Sequence, residues 1–318
     1  MTVYFAPLEG VTDAVFRRIH RECFTGVSKY FIPFVSPTQN LAFTSRDLAA
    51  VAPEKNVGVP AVPQLLAKDA ALFVWAAREL RDMGYDEVNL NLGCPSGTVT
   101  AKGKGSGLLA DVPALERLLD GIFEKTPIPV SVKTRIGYVH AEEFDRLLDV
   151  FARYPIRELI VHPRTRAEFY KGAPHADAFA KAHAALNLPL CYNGDLFSAE
   201  DCAALMRRFP NTHALMLGRG LIANPALAQT LSGGTALDKT MLRAFHDRLL
   251  DAYATQYPPH VTLGRMREIA KHFVCCFENP EKPRKAIRKA NRIDAYLEAV
   301  NRLFVEHELA VCPRFIPD

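Results

Sequence analysis

Glu87-Val88-Asn89-Leu90-Asn91-Leu92-Gly93-Cys94-Pro95-Ser96 is the stretch from which the fold of this 318-residue chain can be worked out. Its first part alternates polar and apolar side chains, which is typical of a β-strand, and Gly93-Cys94-Pro95 then ends the strand. The Cys94 thiol therefore follows the carboxyl end of a strand. Ligands of parallel α/β folds bind at that end of the sheet, so Cys94 is a candidate for chemistry.

Eight short apolar runs alternate with amphipathic helical patterns over the first two thirds of the chain. The predicted strands are Val3–Pro7, Lys29–Phe34, Ala61–Leu66, Glu87–Leu92, Pro129–Arg135, Glu158–His162, Leu188–Asn193 and Ala214–Gly218, and the helices between them include Asp69–Met83, Val112–Lys125, Ala141–Tyr154, His175–Leu186 and Ala199–Phe209. This alternation predicts a parallel sheet, and eight units favour an α/β fold of the (β/α)8 TIM-barrel type. The alternative, an open doubly wound sheet, would bring a G-x-G-x-x-G turn after its first strand, where this chain has Leu8-Glu9-Gly10-Val11-Thr12-Asp13.

The strand pattern stops at Ser232-Gly233-Gly234-Thr235, which has the composition of a linker. Four long helical stretches follow, at Met241–Gln256, Leu263–Phe277, Lys282–Lys289 and Arg292–His307. The chain is therefore predicted to divide into a TIM-barrel catalytic domain at 1–234 and a small C-terminal all-α domain at 235–318.

Charge is distributed unevenly along the chain. The net charge is +4, yet the stretch from Arg265 to Arg292 holds nine basic and three acidic residues. Such a local excess indicates an anionic partner for the helical domain. Seven cysteines without a paired spacing, and no leader before the first strand, indicate a reduced cytoplasmic protein with free thiols; no apolar run is long enough for a membrane span.

Residues suited to chemistry lie at the end of nearly every predicted strand or just after it, and a barrel brings all strand ends to one mouth. They are Pro7 and Glu9, Gln64, Asn91 and Cys94, Lys133 and Arg135, His162 and Arg164, Asn193 and Asp195, and Gly218 and Arg219. The last two pairs lie where the barrel fold commonly binds phosphate. No spacing of histidines or cysteines indicates a metal site.

Cys94 differs from the other cysteines because its loop lies at the predicted mouth. Cys23, Cys191, Cys202 and Cys312 are interpreted as inert hydrophobic residues. Cys94 could act as a nucleophile, although no Cys-His-Asn signature accompanies it. It could instead be a general acid, since a thiol with a pKa near ~8.5 is mostly protonated at neutral pH.

These motifs together resemble the tRNA-dihydrouridine synthase family. The resemblance rests on Ala6-Pro7-Leu8-Glu9-Gly10-Val11-Thr12-Asp13, Asn91-Leu92-Gly93-Cys94-Pro95, Val132-Lys133-Thr134-Arg135, His162-Pro163-Arg164-Thr165, Asn193-Gly194-Asp195 and Gly218-Arg219-Gly220, in the family's order. It covers the whole barrel, and the basic helical C-terminus is similar to that family's tRNA-binding domain.

The resemblance implies an FMN-dependent enzyme that uses NADPH to reduce uridines of tRNA to 5,6-dihydrouridine. We expect the protein to be a monomer. Reduced flavin would deliver hydride to carbon 6 of the uracil, while Cys94 donates a proton to carbon 5. The residues implied in flavin binding are Pro7, Leu8, Glu9, Gln64, Lys133, His162, Asn193, Asp195, Gly218 and Arg219. Those expected to contact the base or the RNA are Asn91, Arg135, Arg164, Arg265, Lys271, Arg284, Lys285 and Arg288.

Two other functions are compatible with the sequence. One is an FMN barrel reductase acting on a small pyrimidine, which would leave the basic C-terminal helices unexplained. The other is a non-catalytic tRNA-binding scaffold, which the joint presence of Cys94, Lys133 and His162 disfavours.

Overall fold

A closed barrel of eight parallel strands forms the centre of the computed structural model, which describes residues 1–310. The strands are β1 (Val3–Phe5), β2 (Val27–Val35), β3 (Ala61–Leu65), β4 (Val88–Leu92), β5 (Val130–Arg135), β6 (Leu159–His162), β7 (Leu190–Asn193) and β8 (Ala214–Leu217). Val3 lies opposite both Val27 of β2 and Leu215 of β8, which closes the ring. The predicted TIM barrel is confirmed, and every predicted strand overlaps an observed one.

Helices follow the strands, and most of them cover the outside of the barrel. They are α1 (Ala14–Cys23), α2 (Ser45–Val51), α3 (Ala70–Asp82), α4 (Gly97–Thr100), α5 (Val112–Lys125), α6 (Glu143–Phe151), α7 (Ala176–Ala185), α8 (Ala199–Arg208), α9 (Arg219–Ala223) and α10 (Leu227–Leu231), with 3₁₀ turns at Pro53–Lys55 and Gly105–Ala110. The five predicted barrel helices correspond to α3 and α5–α8. Helix α1 was not predicted, although Asp13 caps it by accepting a hydrogen bond from the Phe16 amide.

The two faces of β4 explain how the barrel is packed. Val88, Leu90 and Leu92 belong to the apolar core between strands and helices. Because side chains alternate along a strand, Asn89 and Asn91 face the barrel interior. A second apolar cluster, which includes Tyr4, Phe31, Val62, Ile160, Cys191 and Met216, fills the rest of that interior. The barrel is therefore lined by apolar side chains on one side and by amides on the other.

Four helices follow the barrel: α11 (Lys239–Gln256), α12 (Pro259–Phe273), α13 (Glu281–Lys289) and α14 (Ile293–Glu306), with a 3₁₀ turn at Val274–Cys276. The predicted all-α C-terminus is confirmed for the residues up to 310. Helix α12 begins four residues before the predicted start at Leu263, because a proline is well tolerated in the first helical turn. No helix within residues 1–310 is long and apolar enough to cross a bilayer.

The C-terminal helices pack directly against α1. The Phe245 ring of α11 lies 5.7 Å from Phe16, 5.9 Å from His20 and 5.2 Å from Phe24, centroid to centroid. The Tyr253 hydroxyl also donates to the Asp13 carboxylate over 2.9 Å. One apolar core thus runs from the barrel into these helices. The division into units 1–234 and 235–318 remains a proposal.

Candidate functional site

Two adjoining cavities open at the carboxyl ends of the strands, with empty volumes of about 620 and 940 Å³ that include space open to solvent. Pro7, Leu8, Lys133, His162 and Tyr170 line both of them. The first continues toward the ends of β7 and β8, where Asn193, Asp195, Gly218 and Arg219 line it. The second continues toward β3 and β4, where Glu9, Gln64, Asn91, Cys94 and Arg135 line it. The mouth therefore gathers every predicted flavin-binding residue and Cys94.

Cys94 lies in a turn that is tied down on both sides. The Asn91 side-chain oxygen accepts hydrogen bonds from the backbone amides of Gly93 at 3.0 Å and Cys94 at 2.9 Å. The Ser106 hydroxyl donates to the Cys94 carbonyl at 2.7 Å. Gly105, with φ of +57°, brings its backbone so close that an added Cβ would lie 3.0 Å from that carbonyl oxygen. The half-buried thiol is therefore held in a defined position at the mouth.

The other described cysteines are less suited to chemistry. Cys191 and Cys202 are buried, as are Cys275 and Cys276. Burial raises the pKa of the Cys202 thiol to about 12 and that of Cys191 well above its ordinary value. Cys23 is half-buried rather than fully buried, because it lies at the edge of α1 where Arg248 donates to its sulfur. Cys312 lies outside the described residues.

Lys133 lies inside the mouth, near the end of β5. Burial, and next the neighbouring Arg135, lower its pKa from 10.5 to about 8. Within residues 1–310 its ammonium makes no ion pair. A partly buried ammonium without a counterion favours a ligand that carries or accumulates negative charge.

Arg135 lines the cavity but uses its guanidinium to hold the loops around it. The guanidinium donates to the carbonyls of Gly93 at 3.0 Å, Thr165 at 2.8 Å and Phe169 at 2.6 Å. It therefore joins the Cys94 turn to the loop after β6. The alternating pattern of β5 correctly predicted that Arg135 lies at the mouth. Its hydrogen-bond partners are distant in sequence and could not be predicted from that pattern.

His162 is buried and belongs to a network of arginines. Its Nε2 faces Nη1 of Arg164 at 3.2 Å; since a guanidinium can only donate, the ring proton lies on Nδ1. Burial lowers the His162 pKa well below its ordinary value, and Arg135, Lys133 and Arg164 add to the effect. The imidazole is thus neutral and can offer an N–H to a ligand.

Arg164 has no exposed surface with which to touch RNA, contrary to its predicted role. The side chain is fully buried, pairs with Asp195, and donates to the Gly172 carbonyl at 2.5 Å. Asp195 also accepts from Arg219 at 2.7 Å. The negative charge of the Asp195 carboxylate is thereby balanced by two guanidiniums. A phosphate bound nearby would contact arginine and backbone donors and would not be repelled by Asp195.

The loops after β7 and β8 approach each other closely. A Cβ on Gly220 would lie 2.1 Å from the Leu196 carbonyl oxygen, so only glycine fits there. Arg219 lies over the rings of Tyr170 and Phe197 at 5.1 and 5.7 Å from the centroids. Asn193 donates to the Met216 carbonyl at 2.8 Å, which ties the two strand ends together. Glu9 lies at the outer rim and pairs with Arg46.

Sequence reasoning missed three polar side chains that line the mouth: Tyr170, Glu268 and His272. Glu268 and His272 come from α12, so the C-terminal helices complete the site. Burial lowers the His272 pKa to about 4. Their i, i+4 spacing puts both on one helix face, but nothing in the sequence indicates that this face meets the barrel.

A basic groove between α12 and α13 adjoins the mouth. Arg267, Lys271, Arg284 and Arg288 line it together with Glu268, which also lines the mouth cavity. Lys271 pairs with Glu268 at 2.6 Å. Arg265 faces the other way and pairs with Asp13, and Lys285 is exposed on α13. The predicted basic residues therefore form one groove and its flanks rather than one cluster.

Residues 1–310 contain no group of three or more histidine, cysteine or acidic side chains arranged to hold a metal ion.

The chain is similar to proteins of one known family. Residues 4–307 match the family model described as dihydrouridine synthase. A probable tRNA-dihydrouridine synthase of Rhodobacter capsulatus is 30% identical over 70% of this chain and 68% of its own length. A tRNA-dihydrouridine synthase B of Vibrio vulnificus is 27% identical over 94% of both chains.

Among solved structures, morphinone reductase aligns with a TM-score of 0.52 over 75% of this chain and 87% of its own, at 14% identity. At that identity the similarity concerns the barrel fold alone. The family model, by contrast, spans nearly the whole described sequence. The chain belongs to the dihydrouridine synthase family, a family of flavin-dependent oxidoreductases.

Proposed function

We propose that this chain reduces uridines of tRNA to 5,6-dihydrouridine, with FMN bound at the barrel mouth and NADPH as the reductant. The observation that carries the proposal is that one cavity holds the Cys94 thiol and the Lys133 ammonium and adjoins the basic groove of α12 and α13. The names of the relatives support the same substrate class.

The residues of the mouth fit a flavin. Lys133 offers a partly buried positive charge with no ion pair within residues 1–310, and His162 offers a neutral N–H. Arg219 and the glycine loops after β7 and β8 offer donors for a phosphate. FMN, when bound and reduced, would supply the hydride that adds to carbon 6 of the uracil.

The protein itself would supply the proton. In the proposed reaction the Cys94 thiol donates its proton to carbon 5 of the uracil as the hydride adds to carbon 6, so the carbon–carbon double bond becomes single. The thiolate regains a proton from solvent through the open mouth. Asn91 and the bonds of Arg135 hold the thiol while this happens.

The RNA would approach from the side of the C-terminal helices. A target base must leave its stack to enter a barrel mouth, and the basic groove beside the mouth is placed to hold flanking phosphates. Arg284, Arg288 and exposed Lys285 are the residues proposed for those contacts. A small-pyrimidine reductase would have no use for this groove, which favours tRNA as the substrate.

An absorbance experiment on the purified protein tests the proposal. Anaerobic NADPH should bleach the flavin bands, and tRNA lacking dihydrouridine should restore them while 5,6-dihydrouridine forms. Recovery with a free pyrimidine but not with tRNA would overturn the substrate assignment in favour of a small-molecule reductase. Absence of flavin bands after incubation with FMN would overturn the enzyme assignment and leave a tRNA-binding scaffold.

A further inference from the structure

A row of polar side chains crosses the barrel interior, from the amino-terminal end of the strands to the mouth. Gln64 of β3, Asn89 and Asn91 of β4, and Ser131 of β5 are all buried, with at most 6% of each exposed. Layers of branched apolar side chains are the common filling of such a barrel. Burying an amide costs free energy of folding unless its hydrogen bonds are satisfied, so each of these side chains requires a partner inside the barrel.

Each member of the row donates to the next. The links are Asn91 Nδ2 to Gln64 Oε1 at 2.6 Å, Gln64 Nε2 to Asn89 Oδ1 at 2.8 Å, Asn89 Nδ2 to Ser131 Oγ at 2.9 Å, and Ser131 Oγ to Glu87 Oε1 at 2.7 Å. At the mouth, the Asn91 oxygen accepts from the Gly93 and Cys94 amides. The row is therefore one continuous relay from the Cys94 turn to Glu87.

The direction of the relay is set by its two ends. At one end the Glu87 carboxylate pairs with Lys29 at 2.8 Å and Arg157 at 3.1 Å, and an ionised carboxylate can only accept. At the other end the backbone amides of the Cys94 turn can only donate. Turning over any one of the three amides would place donor against donor or acceptor against acceptor. Each amide therefore has a single satisfied orientation.

We infer that Glu87 and Ser131, at the far end of the barrel, position the Cys94 turn through this relay. The Ser131 hydroxyl donates to Glu87, so its oxygen is left to accept from Asn89. The amides of Gln64 and Asn91 repeat this order of donor and acceptor up to the Cys94 turn. Since both acceptor directions of the Asn91 oxygen are used by the turn, Asn91 offers only N–H toward a ligand at the mouth. The inference rests on the proposed function only in taking Cys94 as the proton donor.

Ser131→Ala cuts the relay next to its anchor, far from the mouth. The freed turn should open more often, so alkylation of the Cys94 thiol by iodoacetamide should speed up by roughly threefold or more relative to Cys23 in the same molecule. With tRNA, kcat should fall by roughly tenfold while KM stays nearly constant, because the thiol is misplaced but the RNA surface is intact. Site-resolved mass spectrometry measures the first effect.

Two matched variants separate positioning from general loosening. Tyr4→Phe removes another buried hydrogen bond at the same end of the barrel, from the Tyr4 hydroxyl to Glu158 at 2.9 Å. Glu158 shares Lys29 with Glu87, but the substitution removes no hydrogen bond of the relay. It should leave the Cys94-to-Cys23 alkylation ratio and kcat unchanged. Ser131→Thr keeps the hydroxyl and should restore both. If Ser131→Ala does not fold, Ser131→Cys, a weak donor of similar size, carries the same expectation.

The alkylation ratio needs neither RNA nor turnover, so it tests the relay even if the proposed function fails. A ratio and kcat equal to wild type in Ser131→Ala would show that the relay is only structural. Equal changes in Tyr4→Phe would overturn the inference too, since any loss at that end of the barrel would then have the same effect.

Discussion

Cys94 is the only half-buried cysteine at the mouth among the described residues, and its turn is held by Asn91 and Ser106. Cys94→Ala removes the proposed acid but no packing of the core, so flavin should stay bound. Product formation should fall by roughly 10²- to 10⁴-fold, the usual contribution of a general acid. Single-turnover assays with reduced enzyme measure it. Cys23→Ala, at the other half-buried cysteine, is the control, and unchanged turnover in Cys94→Ala would remove Cys94 from this role.

Lys133 makes the stability of the flavin-free protein depend on pH. Its pKa is about 8 when folded and 10.5 ordinarily, so between those values the unfolded chain binds more protons and stability rises with pH. Below pH 8 the folded state bears the full cost of keeping this partly buried ammonium charged. Lys133→Met should therefore raise the free energy of unfolding near neutral pH by about 1–3 kcal/mol.

That gain should shrink as pH rises from 8 to 10.5, where the wild-type lysine loses its proton. Urea unfolding of the flavin-free protein across this range measures it. Lys125→Met, at an exposed lysine on α5, should show no such trend. A stability difference that stays constant with pH would mean that the Lys133 pKa is not lowered.

At the scale of elements, the short helix α13 packs into the fold with one face and leaves its other face exposed. Pro283 and Ile287 are buried against the neighbouring helices, while Lys285, Arg288 and Lys289 stay exposed. The sequence predicted this helix and its basic charge, but not which of its side chains are buried. The groove that the helix forms with α12 depends on how the two helices pack.

Removing single charges from α13 should test its role. Lys285→Ala and Arg288→Ala should each weaken tRNA binding and lower the slope of log K against log salt concentration by about 1, as expected for lost phosphate contacts. Filter binding over a range of salt concentrations gives both values. Arg81→Ala, on the outer helix α3, should change neither. Equal effects of Arg81 and Arg288 would mean that the RNA does not follow the groove.

On the scale of the whole molecule, α11 joins the C-terminal helices to the barrel through Phe245, which packs against Phe16 of α1 and Phe24 directly after it. Phe245→Ala should destabilise the protein by about 3–5 kcal/mol, the cost of emptying an aromatic site in a packed core. Because the core is continuous, thermal unfolding should remain a single transition at a lower midpoint. Calorimetry that shows a barrel transition unchanged by the substitution would indicate two independent units.

Local sequence pattern was sufficient to predict the barrel and most of the mouth. Strand alternation and the turns that end each strand are properties of short stretches, and a barrel brings all eight strand ends together whatever the details of packing. Hence Cys94, Lys133 and His162 could be assigned to one site. The basic C-terminal helices were equally visible, since charge and helical period are read residue by residue.

What the sequence alone determined was therefore most of the side chains at the strand ends that reach the mouth. The tertiary structure decided what each one does there. Arg164 and Arg135 turn inward because carbonyls and carboxylates from distant loops satisfy their donors. Glu268 and His272 join the site because α12 packs over the mouth. Hydrogen-bond partners and packing partners lie far apart in the chain, so only the folded structure brings them together.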